Sequence, residues 1–208
     1  MTRFNAPRPT FGRNPTTDAF PTPLVGKAAA RRTAMLGQAA EALAVMPGPG
    51  ETLHALMTGR YDLMHLIAAL VTHLGDVQAV RIATLSYNGR NLAEMVALLD
   101  SGAVHSLTLL CSAFFRDHNK ELWQETLDDF RERGQRAAAA RSHAKVVTIA
   151  TASGRRLSLE GSANLRTNSN REQFSLTDDA ALHDWHAAWI DQLVSQHEGD
   201  EPHPSAAG

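Results

Sequence analysis

Ser142-His-Ala-Lys145-Val-Val-Thr-Ile-Ala150-Thr-Ala-Ser-Gly154-Arg-Arg-Leu-Ser-Leu-Glu160-Gly-Ser-Ala-Asn164 is the stretch from which the rest of the chain can be read. Val146–Ile149 and Leu157–Leu159 have strand composition, and between them Ser153-Gly154 is a turn dipeptide, so the segment is expected to fold as an antiparallel hairpin. With those two residues as the loop, Ala152 pairs with Arg155, His143 lies opposite Asn164, and Lys145 lies opposite Ser162. Side chains alternate along a strand, so His143 and Lys145 share a face with their cross-strand partners, at Cβ separations of about 4.5–5.5 Å. A slip of one residue would send one strand's set to the other face. In the expected register an imidazole, an ammonium, a hydroxyl and a carboxamide converge. That set suits a phosphate, with Lys145 as point charge, Ser162 and Asn164 as hydrogen-bond donors, and Gly161 allowing close backbone approach.

Working outward, the chain alternates helical and strand patterns, the signature of an α/β fold with a largely parallel sheet flanked by helices. Asp62–Gly75 and Asn91–Asp100 show helical apolar spacing, the second capped by Asn91. Val80–Ser86 and Val104–Cys111 read as strands. His118–Arg133 reads as one long amphipathic helix, and Ala180–Ser195 as a final helix. Lys27–Met46, rich in Ala, reads as a first helix closed by Met46-Pro-Gly-Pro-Gly50. Trp123, Trp185 and Trp189 fall at helical spacings expected of core residues. His183-Asp-Trp-His186 lacks a third ligand at suitable spacing and reads as a packed or solvated helical pair rather than a metal site.

The 208 residues, 43% hydrophobic and 20% charged, suit one domain. All prolines precede Glu51 or follow Glu201, which sets out a flexible arm over 1–26, a single domain over 27–195 and an acidic disordered tail over 196–208. The arm lacks a secretory apolar core, and no apolar run approaches the roughly 18–20 residues that span a bilayer. A cytoplasmic, non-membrane protein is expected, with its single cysteine, Cys111, reduced and buried. Net charge is −2, but unevenly spread. Between Arg131 and Arg171 nine basic residues face only Glu132 and Glu160, a local 9 − 2 = +7, and no Lys or Arg follows Arg171. Such a block is either a solvated mixed-sign surface or one that attracts phosphate-bearing ligands, and the acidic tail either only solubilises or competes weakly for them.

His143-Ala-Lys145, Gly161-Ser162-Ala-Asn164 and Asn170-Arg-Glu172 together resemble the His-x-Lys, Gly-Ser-x-Asn and Glu signature of phospholipase D-like phosphodiesterases, including the small single-motif nucleases of that superfamily. The likeness is specific over Ser142–Leu176. It departs at Ala150, where the family carries an Asp regarded as structural. The resemblance implies a phospholipase D-like mixed, largely parallel sheet flanked by helices, with the motif on a hairpin. It also implies a phosphohistidine mechanism needing no metal or other cofactor, with His143, Lys145, Ser162, Asn164 and Glu172 catalytic and Glu172 orienting an imidazole. A second histidine is required, and with one motif per chain this implies a homodimer. Arg141, Arg166, Asn168 and Arg171 are the candidate substrate contacts.

Three functions follow from these readings: a metal-independent phosphodiesterase acting on nucleic acid, a catalytically weakened nucleic-acid-binding or assembly module, and phosphatidyl transfer on lipids. The last is disfavoured by the missing membrane-facing amphipathic segment.

Overall fold

Strand residues of alternating character build a sheet whose one face is apolar and whose other face is polar. The computed structural model describes residues 31–36, 39–57, 61–166 and 170–198. Its elements in chain order are β1 (Arg31–Leu36), a 3-10 helix (Ala39–Val45), β2 (Thr52–Met57), α1 (Leu63–Leu74), β3 (Val77–Ala83), α2 (Gly89–Asp100) and β4 (Val104–Ser112). Then follow α3 (Ala113–His118), α4 (Lys120–Glu132), β5 (Arg136–Ala140), β6 (Val146–Thr151), β7 (Arg156–Gly161), β8 (Glu172–Asp178) and α5 (Ala180–His197). The expected arm over 1–26 lies outside the described residues.

The described strands form one eight-stranded sheet, ordered β1-β2-β8-β7-β6-β3-β4-β5. It is α/β and mixed as expected, but not largely parallel: β1·β2, β3·β4 and β4·β5 pair parallel, the other four neighbours antiparallel. Helical crossovers keep β3, β4 and β5 parallel; the β6–β7 hairpin then reverses the chain, and β8 and β2 continue the antiparallel run.

Leu53, Ile82, Leu109, Val147, Leu159 and Leu176 project from one face into the main core, where Leu66, Met95, Trp123 and Phe130 of the helices meet them. Each such side chain contributes about 1.5–3 kcal/mol by leaving water. The opposite face carries a small apolar cluster of Ala83, Leu110, Ala138, Ala140 and Val146 under Ile190 and Val194 of α5. The rest of that contact is ionic. Asp184, Asp191 and Glu198 recur every seventh residue and meet Arg156 (2.8 Å), Arg81 (2.9 Å) and Arg136 (3.1 Å) from β7, β3 and β5. Beside them, buried His186 lies 3.2 Å from Glu160.

The lysine-free C-terminal segment is therefore the acidic stripe of a helix seated on basic strands. Three of its acids sit on arginines, two of which, Arg136 and Arg156, were counted in the basic block. The expected tail shrinks accordingly, because α5 runs to His197 and Glu198 also bridges Ala138; residues 199–208 lie outside the described set.

Other expectations change for physical reasons. Lys27–Met46 is not one helix: Arg31–Leu36 is a strand paired with Thr52–Met57, a tertiary pairing that overrides helix preference, and the helical part where described is the 3-10 helix Ala39–Val45. The same override makes Arg-Ala-Ala-Ala-Ala140 a strand beside β4. The long helix breaks at Asn119, whose backbone leaves helical space and whose amide donates to the Phe115 carbonyl, a local bond that competes with helix continuation. Asn88, not Asn91, is the N-cap of α2; Asn91 closes the capping box by accepting from the Asn88 N–H. Trp123 is core, but Trp185 is 63% exposed, on the outer side of α5. Cys111 is buried, and burial pushes its thiol pKa well up, as befits an inert thiol.

Candidate active site

The hairpin forms, one residue out of the expected register. Thr148 pairs with Ser158 and Ala150 with Arg156, and the loop holds three residues, Ala152 to Gly154, closed by Thr151 N–H to the Arg155 carbonyl at 3.1 Å. Gly154 takes a φ of 91°, which suits a three-residue hairpin with glycine in the left-handed region. Lys145 is therefore level with Gly161, not Ser162, and its carbonyl accepts the Gly161 N–H at 3.2 Å. His143 and Lys145 precede β6 and Ser162 and Asn164 follow β7, so neither pair lies within a strand. They are nonetheless neighbours at one sheet edge, where irregular backbone frees side chains from strict alternation.

That edge also receives the carboxyl ends of β3, β4 and β5, the end at which open α/β sheets bind ligands. The chain leaves β5 at Ala140 and enters β6 at Val146, with β4 and β3 between them in the sheet. Arg141–Lys145 must therefore cross over the ends of both. His143 is exposed on this crossover, and the Lys145 ammonium lies 3.3 Å from its Nδ1 and 3.3 Å from its carbonyl oxygen.

On the adjacent strand end, the Ser162 hydroxyl donates to Glu172 Oε2 and accepts the Gln173 N–H at 3.1 Å, while the Ser162 N–H donates to the Gln173 carbonyl at 3.0 Å. This tie depends on Gly161. A Cβ there would stand 2.5 Å from the Gln173 carbonyl oxygen, so the glycine serves the close approach of β8 rather than of a ligand.

Asn164, Arg166 and Glu172 line one shallow depression. The Asn164 Oδ1 is enclosed there without a hydrogen-bond partner. Arg141 and Arg171 are exposed at the start of the crossover and just before β8, respectively, and Asn168 lies outside the described residues. Glu172 holds Ser162, a contact the imidazole-orienting role did not anticipate.

Among the lining residues that were not anticipated are Tyr61 and Asp62, which arrive just before α1. Asp62 was legible as a helix cap, since an acid precedes an apolar run. It accepts from His65 N–H at 3.0 Å and from the Asn91 amide at 3.2 Å. Burial first, then the Glu41 carboxylate, pushes the Tyr61 phenol up to about 12, so it stays protonated. Asp62, His65 and Glu94 offer ligand atoms close enough for a cation, but Arg90 already sits among them, 2.8 Å from His65 Nε2 and 3.0 Å from Glu94.

The basic block is narrower than its sum. Arg131, Arg133, Arg136, Arg155 and Arg156 each pair with a carboxylate elsewhere, on Asp128, Asp100, Glu198, Asp178 and Asp184. Arg141, Lys145, Arg166 and Arg171 are the members at the site edge.

No protein-family profile matches the sequence, and no curated protein matches it. Solved structures do. A phospholipase D family member, Nuc from Salmonella typhimurium, aligns with a TM-score of 0.51 at 13% identity over 73% of this chain and 99% of that one. NucT from Helicobacter pylori aligns with a TM-score of 0.52 at 17% identity over 72% and 99%. The chain shares the fold of these two structures. Among the described residues no helix is long and apolar enough to cross a membrane.

Proposed function

We propose that this protein is a metal-independent phosphodiesterase acting on nucleic acid, with His143 as nucleophile. The observation that carries the proposal is the crossover, where an exposed imidazole stands 3.3 Å from an ammonium at the ligand-binding edge of a phospholipase D-like sheet. In the first step a His143 ring nitrogen attacks phosphorus, an N–P bond forms and the P–O bond to one ester oxygen breaks. The departing oxygen takes a proton from His143 of a second copy. In the second step water attacks phosphorus, that second imidazole removes the water's proton, and the N–P bond breaks to free the phosphate. Imidazole serves both roles because its ordinary pKa of about 6.5 lies near working pH.

Lys145 supplies positive charge to the phosphate oxygens, and Ser162 and Asn164 lie on the adjoining strand end to hold them. Glu172 positions the Ser162 hydroxyl. Arg141, Arg166 and Arg171 fit backbone contacts, and Asn168 is retained as a candidate contact. Ala150 is five residues along the chain from Lys145, about 16 Å at strand rise, so the missing family carboxylate is remote from the phosphate.

The test incubates the protein with labelled DNA and RNA in excess chelator beside His143→Ala. Cleavage by wild type alone is expected. Equal rates in the two proteins, or a strict magnesium requirement, would overturn the proposal. Binding without any turnover would favour the non-catalytic module. Sedimentation should show a homodimer at assay concentrations, whereas a fully active monomer would remove the two-histidine mechanism.

A further inference from the structure

Among the described residues two large hydrophobic side chains are exposed, Phe114 at 67% and Trp185 at 63%. Trp185 belongs to α5, which packs on the sheet's polar face. Phe114 is different because it stands at the edge that carries His143. β4 ends at Ser112, whose register partner on β5 is Ala140. Phe114 and Ser142 thus lie two residues beyond the same rung, one in the first turn of α3 and the other on the crossover. β4 and β6 are separated only by β3, about 9.5 Å across two strand spacings.

The ring is also braced. Its plane stacks on the His118 imidazole with centroids 4.0 Å apart and 29° between planes, and His118 Nδ1 lies 2.8 Å from the Phe114 carbonyl oxygen. The next residue, Phe115, is buried and supplies α3's core contact, so core packing gives no reason for an aromatic residue at 114.

We infer that Phe114, backed by His118, is a stacking platform for an unpaired nucleobase of the strand whose phosphate lies at His143, which makes the substrate single-stranded nucleic acid. The inference rests on the phosphodiesterase reading and sharpens its substrate. Single-strand binders combine cationic groups that follow the backbone with aromatic faces that take bases, and here exposed Arg141 and half-buried Lys145 lie on the crossover at the same edge of the sheet as Phe114. A base in a duplex already stacks on both sides and gains little from one more ring.

The experiment uses the full chain in a His143→Ala background, which suppresses cleavage, and reads affinity for a labelled thymidine oligonucleotide against one of equal length with tetrahydrofuran in place of its nucleosides. The base-bearing strand should bind about 5- to 100-fold more tightly. Phe114→Ala should erase that preference and Phe114→Trp should restore it; competition by a duplex of the same length should be weak. A preference that survives Phe114→Ala overturns the inference, as does failure of the parent protein to bind either strand. If Phe114→Ala instead lowers the sedimenting mass and weakens both strands equally, the ring contacts a second copy and the inference also fails. Cleavage of the thymidine strand by the wild-type protein is read separately. Its absence, with the base preference intact, would sink the phosphodiesterase reading and leave the platform standing.

Discussion

The two ends of the β6–β7 hairpin are made of similar residues and do different work. At the loop end, Thr151, Ser153 and Arg155 are bound inward. The Thr151 hydroxyl accepts the Arg155 N–H at 3.0 Å and lies 2.8 Å from the Ser153 hydroxyl, while Arg155 donates to Asp178 at 2.8 Å and to the Pro47 carbonyl at 2.8 Å. At the open end, His143 and Ser162 are exposed and the Asn164 carbonyl oxygen is left unpaired. Polar residues that a fold uses for itself are closed off by its own partners. At the open end the backbone has left the ladder and leaves the His143 imidazole facing solvent and the enclosed Asn164 oxygen without a partner, while Ser162 stays tied to Glu172 and Gln173.

The strongest way to break this contrast is to remove the group expected to react. His143→Ala should lower turnover about 10³-fold or more while leaving thermal stability unchanged, since an exposed imidazole contributes little packing. A large fall in melting temperature would reclassify the open end as structural. Lys145→Ala should cost about 10²-fold in cleavage, seen in single-turnover rates, because a donor that stabilises transition-state charge is lost.

The loop end should respond in the opposite manner. Arg155→Ala removes the partner of the mostly buried Asp178 carboxylate and should destabilise by about 1–3 kcal/mol in urea unfolding, with turnover per folded molecule preserved. Lost turnover at full stability would erase the distinction between the ends.

Between the ends lies the helix contact, where His183 is buried. Burial, partly offset by the Asp184 carboxylate, holds its imidazole below the usual range. The unfolded chain then takes up a proton near pH 6.5 that the native state refuses, so stability is full above that pH and falls as pH drops below it. His183→Gln should flatten the acid side of a plot of urea midpoint against pH; an unchanged slope would deny the effect. Smallest of all, Asp191→Asn should cost at most about 1 kcal/mol, because the Arg81 pair is partly solvated. Loss of folding there would show that the acidic stripe does far more than seat α5.

The sequence by itself determined the class of the fold and marked out the candidate site. The motif residues His143, Lys145, Ser162 and Asn164, and the alternation of β3, α2 and β4, are local patterns that residue type and spacing reveal directly. The sequence also showed that charge is segregated, without saying that Asp184, Asp191 and Glu198 meet Arg156, Arg81 and Arg136. Only the tertiary structure decided the hairpin register, because the choice between a two- and a three-residue loop turns on the φ of Gly154 and on the pairing of β6 with β3 and of β7 with β8. It alone made strands of Arg31–Leu36 and the alanines of β5, since a strand edge offers hydrogen bonds that no helix propensity can forecast. It alone brought Phe114 to the edge that bears His143, because adjacency between the ends of β4, β3 and β6 is a property of sheet order, which no local spacing encodes.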